Sequence, residues 1–181
     1  CGGAWGGLVG CAEPRVGGLG GADPGGSLDC RGGGDTCDEV QARLRELGAD
    51  VVRSSDPDRI RVLGGPWARV GRVPEAARIG KGPQSSGVFV RFEKTGAGFD
   101  LLGLDDHAAV ASNLGPKAGL IAATRQGDEM PVGVVTAGSQ EGLPSNVHAM
   151  TPQLLADPHA AVVFDGRIAS GTAPYTHPTL P

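Results

Sequence analysis

The sequence predicts an α/β fold in which helices cover a mixed β-sheet. Two observations support this fold class: helix-like and strand-like segments alternate along most of the chain, and two β-α-β units flank a β-meander, a run of short strands joined by tight turns. The chain has 181 residues, of which 39% are hydrophobic, and this suffices for one core of ordinary size. We therefore expect a single α/β domain at residues 37–169.

The first β-α-β unit follows the clearest helix of the sequence. Residues 38–47 (DEVQARLREL) place their apolar side chains on one helical face, and Gly48 is a typical helix stop. Residues 59–63 (RIRVL) then alternate as a strand does. We expect Gly64-Gly65 to turn the chain into a helix that begins at Pro66.

The first unit ends in a strand that leads into the meander. Pro74 should interrupt the helix, and residues 87–94 (GVFVRFEK) have the β-branched and aromatic composition of a strand. A hairpin loop at residues 95–98 leads to FDLLGL, and a second turn at residues 105–107 leads to AAVASNL.

A helix and the second β-α-β unit complete the domain. Pro116 precedes AGLIAATR, which we predict to be helical, and residues 132–138 (VGVVTAG) are predicted to be a strand. A helix in two pieces, started by Pro144 and by Thr151-Pro152, then leads to the strand HAAVVFDG.

The two units could be related as an internal repeat. Matching strand positions lie 73 residues apart, from Arg59 to Val132 and from Val88 to Ala161. Both strand pairs keep this offset without a gap, which favours two related β-α-β units around the meander.

The segments outside this domain have no apolar periodicity. Residues 11–36 are very rich in glycine and offer no face to bury, which predicts a tether. Residues 170–181 contain several prolines and no periodic pattern, so we predict a flexible tail. Residues 1–10 are interpreted as the remnant of an export signal.

The four cysteines bear on where the protein resides. Leu8-Val9-Gly10-Cys11 has the residue order of a bacterial lipobox and precedes the tether, so we predict lipidation of Cys11. Cys30 and Cys37 then remain as a disulfide pair in an oxidising compartment, since their C-x6-C spacing does not suit zinc. Three alternatives stay open: Cys1 as the mature first residue, a secreted chain with a second disulfide between Cys1 and Cys11, and a cytosolic chain with free thiols.

A resemblance to a group of proteins supports this interpretation. The segments IRVLGGPWARV, GPQSSGVFVRF, LGPKAGLIAATR, VGVVTAG and LLADPHAAVVFDGR, which cover about residues 58–168, are similar to those of small actinobacterial lipoproteins without an assigned activity. In such proteins a lipobox cysteine precedes a variable segment, and the resemblance implies this role for Cys11. The chain departs from them in the very high glycine content of that segment.

Two glycine turns are the candidate ligand site. Gly64-Gly65 before Trp67 would expose backbone N–H groups at a helix start, where an anion could bind, and Gly138-Ser139 occupies the equivalent place in the second unit. If both turns lie at one edge of the sheet, the cleft between them is the expected pocket, with Trp67 as its aromatic wall. The structural alternative is that both turns are simple connections and that Trp67 belongs to the core.

Other candidate sites are weaker. Asp105-Asp106-His107 could bind a metal or act as an acid–base group, although a hairpin turn also favours Asp. The remaining histidines lie in separate segments without ligand spacing, so we assign no catalytic residue, metal site or cofactor. A net charge of -4 with scattered Lys and Arg argues against nucleic acid as a partner.

These features favour a lipoprotein of unknown activity that is anchored at the extracytoplasmic face of the cell membrane. We expect it to act as an accessory or ligand-binding protein, whose partners are the membrane, through the lipid anchor, and a small ligand or an envelope protein. A small secreted enzyme that uses Asp105 and His107 is one alternative, and it is less favoured because no catalytic constellation is evident. An envelope module that binds another protein is the other.

Overall fold

The computed structural model describes residues 26–54, 61–96, 98–124, 132–151, 160–164 and 167–172. The strands are β1 (Gly26–Cys30), β2 (Val51–Arg53), β3 (Arg61–Pro66), β4 (Val90–Thr95), β5 (Gly98–Leu104), β6 (Val110–Gly115), β7 (Gly119–Thr124), β8 (Val132–Ala137), β9 (Ala160–Phe164) and β10 (Arg167–Thr172). The helices are α1 (Gly34–Glu46), α2 (Trp67–Val70), α3 (Pro74–Gly80), α4 (Pro83–Ser86) and α5 (Leu143–Ala149), and a 3-10 turn at Gln140–Gly142 precedes α5.

The described strands form two sheets. The main sheet is mixed and has the order β10-β9-β7-β8-β3-β1-β2, in which β2, β1, β3 and β8 are parallel to one another. The pairs β8-β7, β7-β9 and β9-β10 are antiparallel. The second sheet is the antiparallel meander β4-β5-β6. The predicted fold class, a mixed sheet with covering helices, is confirmed.

The main sheet is the middle one of three layers. Adjacent residues of one strand, such as Val62 and Leu63 of β3, belong to different hydrophobic clusters because successive side chains point to opposite faces. One cluster packs α2, α3 and the meander against the sheet, and the other packs α1 and α5 against its opposite face. None of the described helices is long and apolar enough to cross a bilayer.

The helix expected at residues 38–47 is present as α1, which begins earlier, at Gly34. Its buried residues Val40 and Leu44 are spaced by four, so they face the sheet together. Gly48, which follows the helix, has a φ of 86° and supplies the left-handed conformation that commonly ends a helix.

Part of the expected tether is an interior strand of the main sheet, next to the edge strand β2. β1 pairs with β2 on one side and with β3 on the other, and its residues Ser27, Leu28 and Asp29 are buried. Pairing at both edges stabilises this segment although its sequence has no periodic apolar face. The domain therefore includes residues before Cys37, while residues 11–25 lie outside the described residues. At the other end β10 reaches Thr172, and residues 173–181 of the expected tail also lie outside them.

Two local predictions were wrong. The segment AGLIAATR is not a helix: its residues 119–124 form β7, which lies between β8 and β9. A short apolar run that is buried on both faces carries no period that separates helix from strand. Gly64 and Gly65 do not turn the chain either, because β3 keeps its register with β8 as far as Pro66, and α2 begins at Trp67.

The two β-α-β units are not equivalent in the structure. β8, α5 and β9 form a crossover within the main sheet, with β7 between the two strands. The closing strand of the first unit, β4, instead belongs to the meander sheet. The second helix piece, expected to start at Thr151-Pro152, falls mostly on residues outside the described ones.

Candidate anion-binding site

The carboxyl ends of β1 and β3 lie side by side, and the chain leaves them toward opposite faces of the main sheet. Cys30 at the end of β1 is in register with Gly64 of β3. β1 leads to α1 on one face, whereas β3 leads to α2 on the other. In open α/β sheets, ligands bind in the crevice that such a divergence of connections creates.

An open pocket of about 430 Å³ lies where these connections begin. Arg31 directly follows β1, Arg69 lies in α2, and Arg72 lies between α2 and α3. The apolar residues Val73 and Pro74 complete the lining. Pro74 starts a new helix, so α2 ends at Val70 and Arg72 lies in a short connection. Arg69, near the end of α2, and Arg72 therefore both lie beside Arg31.

A network of ion pairs holds Arg31 in place. Its Nε donates to Oδ1 of Asp29 at 2.7 Å, and its Nη2 donates to Oδ2 of Asp29 at 2.8 Å. Arg61 donates to the same Oδ2 at 3.3 Å and to Oε1 of Glu75 at 2.7 Å. The hydrogen bonds and the negative charge of Asp29 raise the pKa of Arg31, so this guanidinium stays charged.

Arg69 ties α2 to the loop that follows β1. Its Nη1 lies 3.3 Å from the carbonyl oxygen of Arg31 and 3.4 Å from that of Gly32. The loop also approaches β3 closely, since a Cβ on Gly65 would lie 2.9 Å from the Arg31 carbonyl carbon, and the φ of Gly65 is 145°. Glycine at this position therefore permits the close contact between β3 and the loop that follows β1.

The charges around the pocket are unbalanced. Four guanidinium groups, those of Arg31, Arg61, Arg69 and Arg72, meet two carboxylates, those of Asp29 and Glu75, which leaves two positive charges in excess. Within the described parts of the chain, no hydrogen bond or ion pair engages the exposed side chain of Arg72. This excess of fixed N–H donors suits an anion.

The two glycine pairs expected to form a pocket lie near the same edge of the sheet, since Pro66 of β3 is in register with Ala137 of β8, although Gly64 and Gly65 lie within β3 and form no turn. The backbone of Gly138 is nevertheless engaged by the fold. Its N–H donates to the carbonyl of Ala118 at 3.2 Å, its carbonyl accepts from the N–H of Phe99 at 3.3 Å, and a Cβ there would lie 1.9 Å from the Phe99 oxygen.

The other residues of the expected pocket also have structural partners or buried positions. The carbonyl of Gly64 accepts from the N–H of Arg31 at 2.7 Å. The hydroxyl of Ser139 is buried and has no hydrogen-bond partner among the described residues. None of Gly64, Gly65, Gly138 and Ser139 lines the arginine pocket.

Trp67 is a core residue. Its side chain is 6% exposed, and its ring stacks on that of Phe92 with centroids 4.2 Å apart and an interplanar angle of 14°. Both rings belong to the cluster that joins α2 and the meander to the main sheet. Trp67 therefore forms no wall of the arginine pocket. It lies in the core, which is the alternative position expected for it from the sequence.

Asp105 stabilises the turn between β5 and β6. Its Oδ1 accepts from the N–H groups of His107 at 2.9 Å and Ala109 at 2.8 Å, as is common for Asp in turns. The His107 side chain is 84% exposed, and its Nε2 lies 3.7 Å from Oδ1 of Asp106. The described residues contain no group of three or more His, Cys, Asp or Glu side chains placed to hold a metal ion.

A disulfide joins Cys30 to Cys37, with their Cα atoms 5.7 Å apart. It connects the end of β1 to the first turn of α1 and encloses the loop that contains Arg31. This is the pair expected from the sequence. Cys1 and Cys11 lie outside the described residues.

The arginine pocket is not evident from the sequence, because Arg31 is far from Arg69 and Arg72 along the chain. Arg31 lies in a segment interpreted as a tether, and Arg69 and Arg72 look like the exposed residues of an ordinary helix. Their spacing of three residues places them near each other on a helical turn and was the one available signal. Their proximity to Arg31 follows only from the pairing of β1 with β3.

Comparison of the chain with protein-family models, with curated proteins and with solved structures found no match.

Proposed function

We propose that this chain is a lipid-anchored, extracytoplasmic protein that binds a small anionic ligand in the arginine pocket. The observation that carries this proposal is the convergence of Arg31, Arg69 and Arg72 on one open pocket, in a chain whose net charge is -4. Like charges are brought together at a cost unless something compensates for them. A bound anion would supply that compensation.

The lining of the pocket fits a small organic anion. Guanidinium groups present several N–H donors in a planar arrangement that matches carboxylates and phosphates. Val73 and Pro74 add apolar surface beside them. The volume of about 430 Å³ lies within the range of roughly 300–1,000 Å³ that is typical of small-molecule sites.

The cysteines support the proposed location. Disulfides persist in oxidising compartments outside the cytosol, and the Cys30–Cys37 bridge closes the loop next to the pocket. The residue order Leu8-Val9-Gly10-Cys11 supports a lipid on Cys11. Two acyl chains on this residue would hold the protein stably at a membrane, since each buried methylene contributes about 0.8 kcal/mol.

Titration calorimetry of the full chain with a panel of small carboxylates, sulfates and phosphates tests the proposed binding. We expect at least one anion to bind, and we expect Arg69→Gln and Arg72→Gln to weaken its binding about tenfold or more, because each removes charged donors. Arg45→Gln is the matched control, since Arg45 is equally a charged, exposed residue but lies on α1, across the sheet. Equal affinity in all three variants would rule the pocket out.

Mass spectrometry of the protein from its native membrane tests the proposed anchor. We expect a diacylglyceryl group on Cys11 and an oxidised pair at Cys30 and Cys37. A protein without acyl groups and with all thiols reduced would contradict the proposed extracytoplasmic location. The proposed anion binding would be unaffected, because calorimetry tests it separately.

A further inference from the structure

We infer that the arginine pocket selects a phosphomonoester dianion that carries a small apolar substituent. This inference rests on the proposed anion binding and adds the chemical class of the ligand. Its first support is the charge balance: the four guanidinium groups exceed the carboxylates of Asp29 and Glu75 by two charges. A phosphomonoester carries about -1.5 to -2 at pH 7, whereas a carboxylate or a sulfate ester carries only one negative charge.

The second support is the number of donors that remain free. The Nε and Nη2 groups of Arg31 donate to Asp29, so this edge of the guanidinium is not available to a ligand. Arg31 would donate to a ligand through its remaining N–H groups. One Nη of Arg69 lies against the carbonyls of Arg31 and Gly32. The Nε–Nη2 edge of Arg69 and the whole guanidinium of Arg72 have no hydrogen-bond partner among the described residues and stay available to a ligand.

This donor set fits a tetrahedral group better than two planar ones. The two negative charges of a dicarboxylate lie on separate groups, whereas those of a phosphomonoester lie on one group that all three arginines of the pocket can approach. A phosphomonoester has three terminal oxygens that point in different directions and accept from separate donors. Arg31 reaches the pocket from the loop after β1, and Arg69 and Arg72 reach it from α2 and the connection that follows, so the oxygens of one phosphate can accept from both sides of the pocket.

The third support is the apolar part of the lining. Val73 is buried and Pro74 begins α3, so both surfaces are held rigidly beside the arginines. A pocket of about 430 Å³ has the size of a site for an organic molecule, with room beside the charged group. A substituent on the phosphate ester would occupy this side of the pocket.

Phenyl phosphate and phenyl sulfate separate this inference from general anion binding. Both have the same ring and a tetrahedral anion, but at pH 7.5 only the phosphate is a dianion. By calorimetry on the full chain, we expect phenyl phosphate to bind about tenfold or more tightly than phenyl sulfate. We also expect it to bind more tightly than inorganic phosphate, which lacks the ring, and than succinate, which presents two planar groups.

Acidification provides a second measurement on the same pair. The second ionisation of a phosphomonoester has a pKa near 6, so at pH 5 most of the ligand is a monoanion. We expect the affinity for phenyl phosphate to fall between pH 7.5 and pH 5 and that for phenyl sulfate to stay nearly constant. Arg72→Gln should abolish the preference for phosphate, whereas Arg45→Gln should retain it.

The possible failures are distinguishable. If phenyl sulfate or succinate binds as tightly as phenyl phosphate and the binding depends on Arg72, the phosphate selectivity is wrong and the anion site stands. If inorganic phosphate binds as tightly as phenyl phosphate, the apolar part of the inference is wrong. If no anion binds in a way that depends on Arg72, both the inference and the proposed binding are overturned.

Vesicles distinguish two sources of the same chemical group. A phosphomonoester occurs on soluble molecules and as the headgroup of phosphatidic acid, whereas phosphatidylglycerol is a phosphodiester. The test is cosedimentation of the protein with phosphatidylcholine vesicles that contain either phosphatidic acid or phosphatidylglycerol. Cosedimentation that requires phosphatidic acid and that is lost in Arg72→Gln would assign the ligand to a lipid. Binding of phenyl phosphate without this cosedimentation would assign it to a soluble ester.

Discussion

Asp29 and Arg31 are joined by two parallel hydrogen bonds of 2.7 and 2.8 Å at the carboxyl end of β1. Residues two apart along an extended chain point to the same side, which permits this pairing. The Asp29 side chain is only 9% exposed, whereas that of Arg31 is 47% exposed. The buried carboxylate therefore orients a guanidinium whose free N–H groups face the pocket and the solvent.

Replacement of this carboxylate should affect both stability and binding. Asp29→Asn keeps the size of the side chain but removes the charge that Arg31 and Arg61 share. We expect the free energy of unfolding to fall by about 2–3 kcal/mol, because a mostly buried guanidinium loses a charged partner. Urea denaturation measures this change. Anion affinity should fall as well, since Arg31 is no longer oriented.

Asp38→Asn is the matched control. Asp38 pairs with Arg53, and their side chains are 71% and 42% exposed. An exposed pair contributes little, so we expect a loss of no more than about 0.5–1 kcal/mol and unchanged anion affinity. A loss for Asp29→Asn no larger than this would show that the buried network contributes no more than a surface pair.

Substitution of Trp67 tests whether its ring packs in the core or contacts the ligand. Its ring is buried and stacks on Phe92 at a centroid distance of 4.2 Å. We expect Trp67→Leu to lower the free energy of unfolding by about 2–4 kcal/mol, measured by urea denaturation, because stacking and buried area are lost. Anion affinity measured well below the midpoint of unfolding should change little. A variant of normal stability that no longer binds anions would instead place the ring at the ligand.

Some elements of this fold are evident in the sequence because their own residues determine them. α1 carries Val40 and Leu44 on one face and a glycine at its end. β8 is a buried run of small and β-branched residues at Val132–Ala137. In both cases the local pattern and the tertiary environment favour the same structure.

Other elements depend on partners that the sequence does not reveal. β1 has a serine, an aspartate and a glycine among its five residues, and it is a strand because β2 and β3 pair with both of its edges. The same holds for β7 between β8 and β9. The arginine pocket could not be predicted for this reason, because Arg31 meets Arg69 and Arg72 only after β1 and β3 have paired.

The disulfide should stabilise the loop beside the pocket. Cys30 and Cys37 close a loop of a few residues, for which the reduction in unfolded-state entropy corresponds to about 2–3 kcal/mol. We expect the double variant Cys30→Ser, Cys37→Ser to lose about this much in urea denaturation. With a reducing agent, the wild-type chain should unfold at about the same urea concentration as the double variant. The reducing agent should not change the urea concentration at which the double variant unfolds. Equal stability of the oxidised and reduced wild-type chain would contradict this expectation.

Gly138 should tolerate no side chain. A Cβ at this position would lie 1.9 Å from the Phe99 carbonyl oxygen and 2.9 Å from that of Pro116, and both contacts are with backbone. We expect Gly138→Ala to cost more than about 3 kcal/mol or to prevent folding, as measured by circular dichroism and urea denaturation. Gly34→Ala is the control, because a methyl group added there would meet no atom within 4 Å beyond its chain neighbours and the backbone of its own helix, and alanine favours a helix. Similar losses in the two variants would mean that the meander does not pack against Gly138.

Substitutions at Asp105 and His107 test whether these residues have a structural or a chemical role. The Asp105 carboxylate accepts two backbone N–H groups, at 2.9 and 2.8 Å, whereas the His107 side chain is 84% exposed. We expect Asp105→Ala to lower the free energy of unfolding by about 1–2 kcal/mol in urea, because two backbone N–H groups of the turn lose their acceptor. His107→Ala should change it by less than about 0.5 kcal/mol, since an exposed side chain contributes little. The opposite order, with His107→Ala the more damaging change, would show that the imidazole has a role which the turn geometry does not explain.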